Sequence, residues 1–341
     1  EQGTLDITDP TGSKTMFEQI TKINSNGEIS GDKIVTSSVD NLGYGYIGIN
    51  ATTVNVGGES DSEASKNLRK ALSTVFAVYR DVAIDTFYGD AASVINYPIS
   101  NTSWAAPQPS DSDYEIAYSR DVNGNSIYTS DMSADDRYSA AVEAALGFFE
   151  AAGYTVENGK LTAAPEGAAM EYEVLIPGDG DGDHPSFAIV TDASAALDTI
   201  GFNLIVTDLS DANVLWDRLN ASTQEIWCAA WGATIDPDMY QVYHSSNATG
   251  AGGTDSNHYM ITDPQLDTII MEARQSDDQT YRKAAYKQAL DIIIDWAVEI
   301  PTYQRQNSVI FSNERVNVDT VTPDITTFYE WMAEIENMEL R

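Results

Sequence analysis

The chain has 341 residues, 42% of them hydrophobic, which is enough for two domains or one large lobe with a real core and excludes wholesale disorder. Eighteen Lys and Arg stand against 53 Asp and Glu, a net charge of −35, and a surface this acidic repels nucleic acid and anionic lipid. That acidity fits solubility outside the cell, with a high-salt habitat as the alternative. The single cysteine, Cys228, cannot form an internal disulfide and lies in an apolar run, as a buried inert thiol does. No apolar stretch is long enough for a bilayer-crossing helix, and no signal-peptide pattern is present. The Asn-x-Ser/Thr sites at Asn50, Asn101, Asn220 and Asn247 read as chance in a chain rich in those residues.

The first helical period spans Met16 to Ile23. Gly43-Tyr44-Gly45-Tyr46-Ile47-Gly48-Ile49 is glycine-interleaved and β-prone. Glycine in a strand marks close approach of a ligand or another backbone. Tyr44 and Tyr46 share a face at period two, which suits a ligand wall or a packed edge strand. Ser60 to Glu63 reads as a capping box ahead of a helix with Leu68, Leu72, Val75, Phe76 and Tyr79 on one face, ending before Gly89. Asn96 to Asp131 lacks periodicity and is rich in Pro, Ser, Asp and Asn, a long loop of the functional or mobile kind. Trp104 within it is a binding platform or, more simply, a plug that pins the loop to the core.

Ser133 caps a second helix, striped by Tyr138, Ala141, Val142, Ala145, Leu146 and Phe149 and stopped by Gly153. Strand, helix, strand, helix and strand follow at Met170–Ile176, Ser186–Ile200, Phe202–Val206, Asn213–Leu219 and from Ile226. This βαβ pattern predicts a parallel sheet with right-handed crossovers. Pro177 to Asp183 imitates a calcium loop in its first acids. His184 and Val190 then stand where the sharp-turn glycine and the bidentate Glu belong, so the segment reads as a solvated turn. His244 to Asn257 is a polar loop. Asp263-Pro264 caps a helix, a longer one spans Thr280 to Trp296, Ile300-Pro301 opens a strand and Val309 to Phe311 forms another. The aromatic tail Phe328-Tyr329-Glu330-Trp331-Met332 is expected to pack.

The segment that organises the rest is Glu225 to Tyr240. Its apolar run, Ile226 to Trp231, reads as a parallel strand buried on both faces. It breaks at Gly232 and enters a bend at Asp236-Pro237-Asp238. The carboxyl end of such a strand is where open α/β sheets bind ligands. An indole, backbone amides, a hydroxyl and two carboxylates gather there, a set suited to gripping a flexible polar molecule.

Trp231-Gly232-Ala233 followed by Asp236-Pro237-Asp238 resembles the signature of the family 5 extracellular solute-binding proteins, the peptide and nickel receptors of ABC importers. Tyr46 to Asn50 with Asn67-Leu68-Arg69-Lys70-Ala71-Leu72 resembles their hinge strand and the helix after it. Ala151-Ala152-Gly153-Tyr154 resembles a helix end of theirs. Asp263 to Arg274 and Tyr281 to Gln304 resemble their final helices and return strand. The resemblance runs from Leu5 to the C-terminus. It implies a periplasmic-binding-protein-like α/β fold (type II, cluster C), here its C-terminal lobe, with a mixed or parallel sheet flanked by helices. The implied division is 1–54 as lobe one and hinge, 55–304 as the ligand-binding lobe, and 305–341 as the return to lobe one. The opening residues Glu1 to Thr8 resemble a segment inside the first lobe, so most of that lobe and any lipid anchor are expected outside this sequence.

The resemblance further implies an extracytoplasmic, periplasmic or cell-surface receptor. It would be a monomer that closes on an oligopeptide or other small polar solute and presents it to the membrane permease, with no cofactor. Tyr44, Tyr46, Trp104, Trp231, Gly232, Ala233, Thr234, Asp236 and Tyr240 are the expected ligand-binding residues. In peptide-binding relatives an aspartate three residues after the tryptophan pairs with the ligand's α-ammonium. Here that position is Thr234 and the bend is one residue shorter, so Asp236 substitutes or the ligand is a blocked peptide, a sugar or another solute.

Catalytic patterns are scarce. His184, His244 and His258 sit in separate loops without zinc-ligand spacing. No nucleophile elbow or phosphate loop is present. Asp236 and Asp238 as an acid/base pair would support a secreted hydrolase, but two acids flanking one proline are more simply a turn whose side chains bond nearby amides. A surface sensor or adhesin on the same fold is the third reading.

Overall fold

A computed structural model describes residues 4–10 and 12–341; residues 1–3 of the opening segment read above lie outside it. The strands among the described residues are β1 (Ile7–Thr8), β2 (Ile34–Asp40), β3 (Gly43–Ile49), β4 (Ala92–Val94), β5 (Thr155–Glu157), β6 (Lys160–Ala163), β7 (Glu171–Ile176), β8 (Asn203–Asp208), β9 (Ile226–Gly232) and β10 (Glu299–Ser312). The α-helices among the described residues are α1 (Lys14–Ile23), α2 (Glu63–Val78), α3 (Arg80–Phe87), α4 (Ala134–Ala151), α5 (Phe187–Thr199), α6 (Asn213–Asn220), α7 (Tyr240–Tyr243), α8 (Pro264–Gln275) and α9 (Gln279–Trp296).

The main sheet is mixed, ordered β1-β10-β3-β9-β7-β8, with β2 and β4 also paired to β10. Only β8, β7 and β9 run parallel to one another; β9 pairs antiparallel with β3, and β3 with β10. The glycine strand β3 is thus central, not an edge, and β9 has a parallel neighbour on one side only. Burial of β9 covers Ile226 to Ala229, after which Ala230 and Gly232 are exposed and Trp231 is half-buried.

Alternation at period two gives each strand two faces. Ile47, Ile49, Val174, Ile226 and Cys228 point into one core, against α2, α4 and α5. Tyr44, Tyr46, Leu175, Trp227 and Ala229 point into the other, against α6, α8 and α9. The sheet is therefore a middle layer between two helical layers. A small third core of Val309, Phe311 and Val316 lies under the far end of β10.

Helix starts follow cap chemistry. Ser133 accepts from Asp136 N in a capping box, and Asp263 and Asp278 cap α8 and α9. The α2 cap is Ser62, not Ser60: its hydroxyl accepts from Ser65 N, and the expected single helix breaks at Tyr79. The long loop from residue 96 is nonregular, yet Tyr97, Ile99, Ala105 and Ala106 are buried. Buried polar side chains meet the backbone there: Arg80 Nη1 donates to Ile95 O at 2.9 Å, and Gln304 Oε1 accepts from Asn101 N at 2.9 Å. The two predicted strands after Ile300 form one 14-residue strand, because Pro301 falls where the β10–β3 register shifts and its missing N–H is not needed in a ladder. The aromatic tail packs only through Trp331, edge-on to Phe311; Phe328, Tyr329 and Met332 are about half exposed.

Arg69 joins the two helical layers. It is fully buried, and its Nε, Nη1 and Nη2 donate to the carbonyls of Trp296, Val54 and Ser60 at 2.8, 3.1 and 2.8 Å. Removing the guanidinium orphans three carbonyls, at about 1 kcal/mol each or more. Relief of the buried charge offsets part of this. Arg69→Met is expected to lower the unfolding free energy by about 2–3 kcal/mol in urea titration; an unchanged midpoint would refute the role.

Candidate functional site

The exposed end of β9 opens onto a cavity of about 210 Å³. Its walls are Trp231 to Thr234, the bend Asp236-Pro237-Asp238 and the segment Pro98 to Ser100; Tyr44 and Tyr243 also line it. The Trp231 ring stacks on Tyr46 with centroids 5.8 Å apart and planes within 9°. Its Nε1 donates to the Tyr259 hydroxyl at 2.9 Å. Pairing of Tyr44 with Trp231 in the β3–β9 ladder fixes these rings against each other. Gly232 has open space where a side chain would stand, so the backbone faces the cavity bare.

Local hydrogen bonds shape the bend. Thr234 Oγ1 donates to Asp236 O at 2.7 Å, and Asp238 Oδ1 accepts from Tyr240 N at 3.0 Å, starting α7. Both carboxylates also hold arginines. Arg282 Nη1 and Nη2 reach the Asp236 carboxylate at 3.0 and 2.7 Å, and Arg274 Nε lies 3.2 Å from Asp238. The Arg282 guanidinium is packed over the rings of Trp104 and Tyr286, which ties the bend to α9 and to the long loop. A bidentate arginine pair of this kind is among the stronger charge-assisted contacts.

The expected residues therefore divide. Tyr44, Trp231, Gly232, Ala233, Thr234 and Asp236 line one cavity. Tyr46 is buried behind Trp231 as its support. Tyr240 lies under Arg274, 4.3 Å from ring centroid to guanidinium, and off the cavity wall. Trp104 lines a separate cavity of about 490 Å³ with Lys283 and Lys287. Tyr243, Tyr259 and Glu299 escaped the sequence reading. The one signal for Glu299 was an acid standing alone in the apolar run Trp296 to Ile300.

Glu299 is fully buried and reaches the cavity only through Tyr243, one of its lining residues. Its Oε2 accepts from the Tyr243 hydroxyl at 2.6 Å. Burial pushes its carboxyl up to about 7, against the easing effect of the Tyr243, Tyr259 and Tyr44 hydroxyls. Elsewhere, burial pushes the Cys228 thiol far up and the His184 imidazole down to about 4, so neither is a reactive group near neutrality. In the calcium-like turn, Gly178 N and Gly182 N donate to the Asp208 carboxylate at 2.9 and 2.8 Å. Among the described residues no group of three His, Cys, Asp or Glu is placed to hold a metal ion.

The family model of the bacterial extracellular solute-binding proteins, family 5 Middle, matches residues 1–253. The chain belongs to that family. No curated protein matches it. Among solved structures, this family 5 protein is similar to the oligopeptide-binding protein AppA of Bacillus subtilis, crystallised with a nonapeptide, at 16% identity and a TM-score of 0.67 over 99% of this chain and 56% of that one. It is similar to DppA of Helicobacter pylori, in complex with the peptide STSA, at 16% identity and a TM-score of 0.63 over 99% and 53%. NikZ of Campylobacter jejuni, in complex with Ni(L-His), shares 17% identity and a TM-score of 0.61 over 92% and 53%. The family 5 chain thus spans a little over half the length of these structures, with which it shares the periplasmic-binding-protein-like fold. No helix of its described residues is long and apolar enough to cross a membrane.

The folded family 5 protein keeps the Glu299 proton up to about pH 7, whereas the unfolded chain releases it near 4.5. Stability is therefore lost as pH rises across that window, by about 3 kcal/mol once Glu299 is ionised. Glu299→Gln is expected to gain roughly that much at pH 8 and nothing at pH 4, by urea denaturation. A variant no more stable than the parent at pH 8 would contradict the assignment.

Proposed function

We propose that this chain forms the solute-holding part of the extracytoplasmic receptor of an ABC importer, that its ligand is an oligopeptide or a similar small polar solute, and that it delivers this ligand to a membrane permease. Residues 55–304 carry the ligand-binding lobe in this reading. The observation that carries it is the open, aromatic-walled cavity at the carboxyl end of β9, with bare backbone at Gly232 and a hydroxyl at Thr234. Extended peptides are held by main-chain hydrogen bonds plus tolerant side-chain pockets, and a half-buried indole offers large contact area and one wall. Nonapeptide, tetrapeptide and nickel–histidine ligands in the solved structures of similar fold support the same class of guest. Closure of two lobes over the solute would trap it and create the surface read by the permease.

The chain is not an enzyme in this reading. Asp236 is the acid that a hydrolase would need, and the Arg282 guanidinium occupies both of its oxygens. Both oxygens of that carboxylate are thus taken up by a bidentate ion pair rather than turned toward a bond to be cleaved. Import needs only affinities near micromolar, about −8 kcal/mol.

Thermal-shift measurements on the family 5 protein with pools of short peptides, oligosaccharides and metal chelates should find a stabilising pool. Trp231→Ala should weaken that binding by at least about tenfold, since aromatic anchors of this kind contribute about 2 kcal/mol. No shift with any pool, or an unchanged affinity in Trp231→Ala, would sink the proposal. Turnover of any bound peptide would restore the hydrolase reading, with Asp236→Asn as its control.

A further inference from the structure

Basic side chains are scarce in this chain, 18 against 53 acids, and the ten arginines are almost all engaged. Arg69 and Arg80 donate to buried carbonyls, and Arg341 to Val316 O. Arg120, Arg137, Arg218, Arg274, Arg282 and Arg315 each stand within 4.0 Å of an acid. Among the described residues, Arg305 is the one arginine whose guanidinium has no hydrogen bond and no ion pair, although it is half-buried. Its five N–H donors are left for a partner outside the chain.

Arg305 lines a cavity of about 400 Å³ and is its only basic wall residue among those described. The walls come from segments 9–10, 39–42, 305–309 and 325–331, all outside the stretch 55–304 proposed to carry the solute. Alternation along β10 sets Arg305 on the same face as Tyr303, whose ring lies against Gly45 and 5.3 Å from Tyr88. Tyr44 and Trp231 pack on the opposite face of the sheet. Leu42, between β2 and β3, is a wall of both cavities.

The root of the guanidinium is fixed. Arg305 O accepts from Asn41 N at 2.9 Å, and Arg305 pairs with Ala92 of β4. Other donors share the cavity. Thr326 Oγ1 accepts from Phe328 N and Tyr329 N at 3.2 and 3.0 Å, so its own O–H is left to donate. Asn41 Oδ1 accepts from Asn307 Nδ2 at 3.1 Å, which leaves the Asn41 amide hydrogens free. Val309 and Trp331 add apolar wall, and two acids, Asp9 and Glu330, stand in it without pairing to Arg305.

We infer that this cavity is a second binding site, separate from the one at Trp231, and that it takes a small molecule through a single carboxylate held by the Arg305 guanidinium. A planar guanidinium meets a carboxylate through two parallel N–H···O bonds. Asn41 and Thr326 would donate to the lone pairs that remain. Asp9 and Glu330 limit the charge of the guest. A second negative charge, as on phosphate, would find no second guanidinium and would add repulsion from both acids. Two sources supply the carboxylate, a simple organic acid and a free amino acid, whose ammonium would face Asp9 or Glu330. This site stands whether or not the Trp231 cavity holds a solute, because Leu42 is the one wall residue they share.

The test is calorimetric titration of the whole chain with acetate, alanine, alaninamide and inorganic phosphate. Acetate or alanine should bind saturably. Alaninamide keeps the amine and lacks the carboxylate, and it should not bind. Phosphate should bind at least about tenfold more weakly than the better carboxylate. Alanine bound more tightly than acetate identifies the amino acid as the source, and equal affinities identify the organic acid. Arg305→Gln should keep its melting transition, because the guanidinium has no partner inside the chain to lose. The same change should weaken carboxylate binding by about tenfold or more. Arg305→Lys should recover only part of that loss, since an ammonium lacks the planar fork. Trp231→Ala should leave carboxylate binding unchanged. Alaninamide bound as tightly as alanine, full carboxylate affinity in Arg305→Gln, or no carboxylate bound at all would overturn the second site. Loss of carboxylate binding in Trp231→Ala would overturn it too, by moving the carboxylate to the Trp231 cavity.

Discussion

The pairing of β3 with β9 sets the site. Large rings lie across β3 at the glycine positions of both its faces. A Cβ at Gly48 would overlap the Trp227 indole, and one at Gly45 would overlap the Tyr303 ring. With Gly48 bare, the Trp227 indole lies against β3 and its Nε1 reaches the Tyr46 hydroxyl at 3.3 Å, on the face where Tyr46 stacks on Trp231. A slip of one residue in this ladder would turn Tyr44 and Tyr46 to the opposite face and leave Trp231 without its backing. The glycine pattern is thus a packing requirement first, and the wall of the cavity follows from it.

Charge is arranged in two depths. At the rim, acids and arginines cancel: Asp236 with Arg282 and Asp238 with Arg274, the latter guanidinium resting on Tyr240. These contacts hold the bend while leaving no free charge on it. At the floor, one carboxylate has tyrosine hydroxyls and no arginine. The overall negative charge of the chain says little about either level, because most of its acids lie on solvated faces, where salt screens them.

Much of the fold was legible because its signals are local. Ser133, Gly153 and Asp263 mark helix ends through hydrogen bonds to neighbours a few residues away, and the βαβ run from residue 170 declared itself by period. The bend after Trp231 was legible for the same reason, from Gly232, Pro237 and the flanking acids. What could not be read depends on residues far apart in the chain. Tyr44, Tyr243, Tyr259 and Glu299 converge from three distant segments, and Arg282 finds Asp236 across 46 positions. The central place of β3 was hidden because glycine alternation looks the same on an edge strand as beneath an indole. Trp104 was read more readily as a plug than as a platform; the structure sets it beside Tyr286, over a different cavity from Trp231.

The length of β10 has a mechanical consequence. Its first residues pair with β3 and β4 and its last with β2 and β1, with a single register shift near Pro301. One unbroken backbone is therefore the common spar of the floor that carries Glu299 and of the far sheet resting on Phe311. Torque applied at either end is transmitted through peptide units to the other, with one softer joint at the proline, where the ladder skips a step.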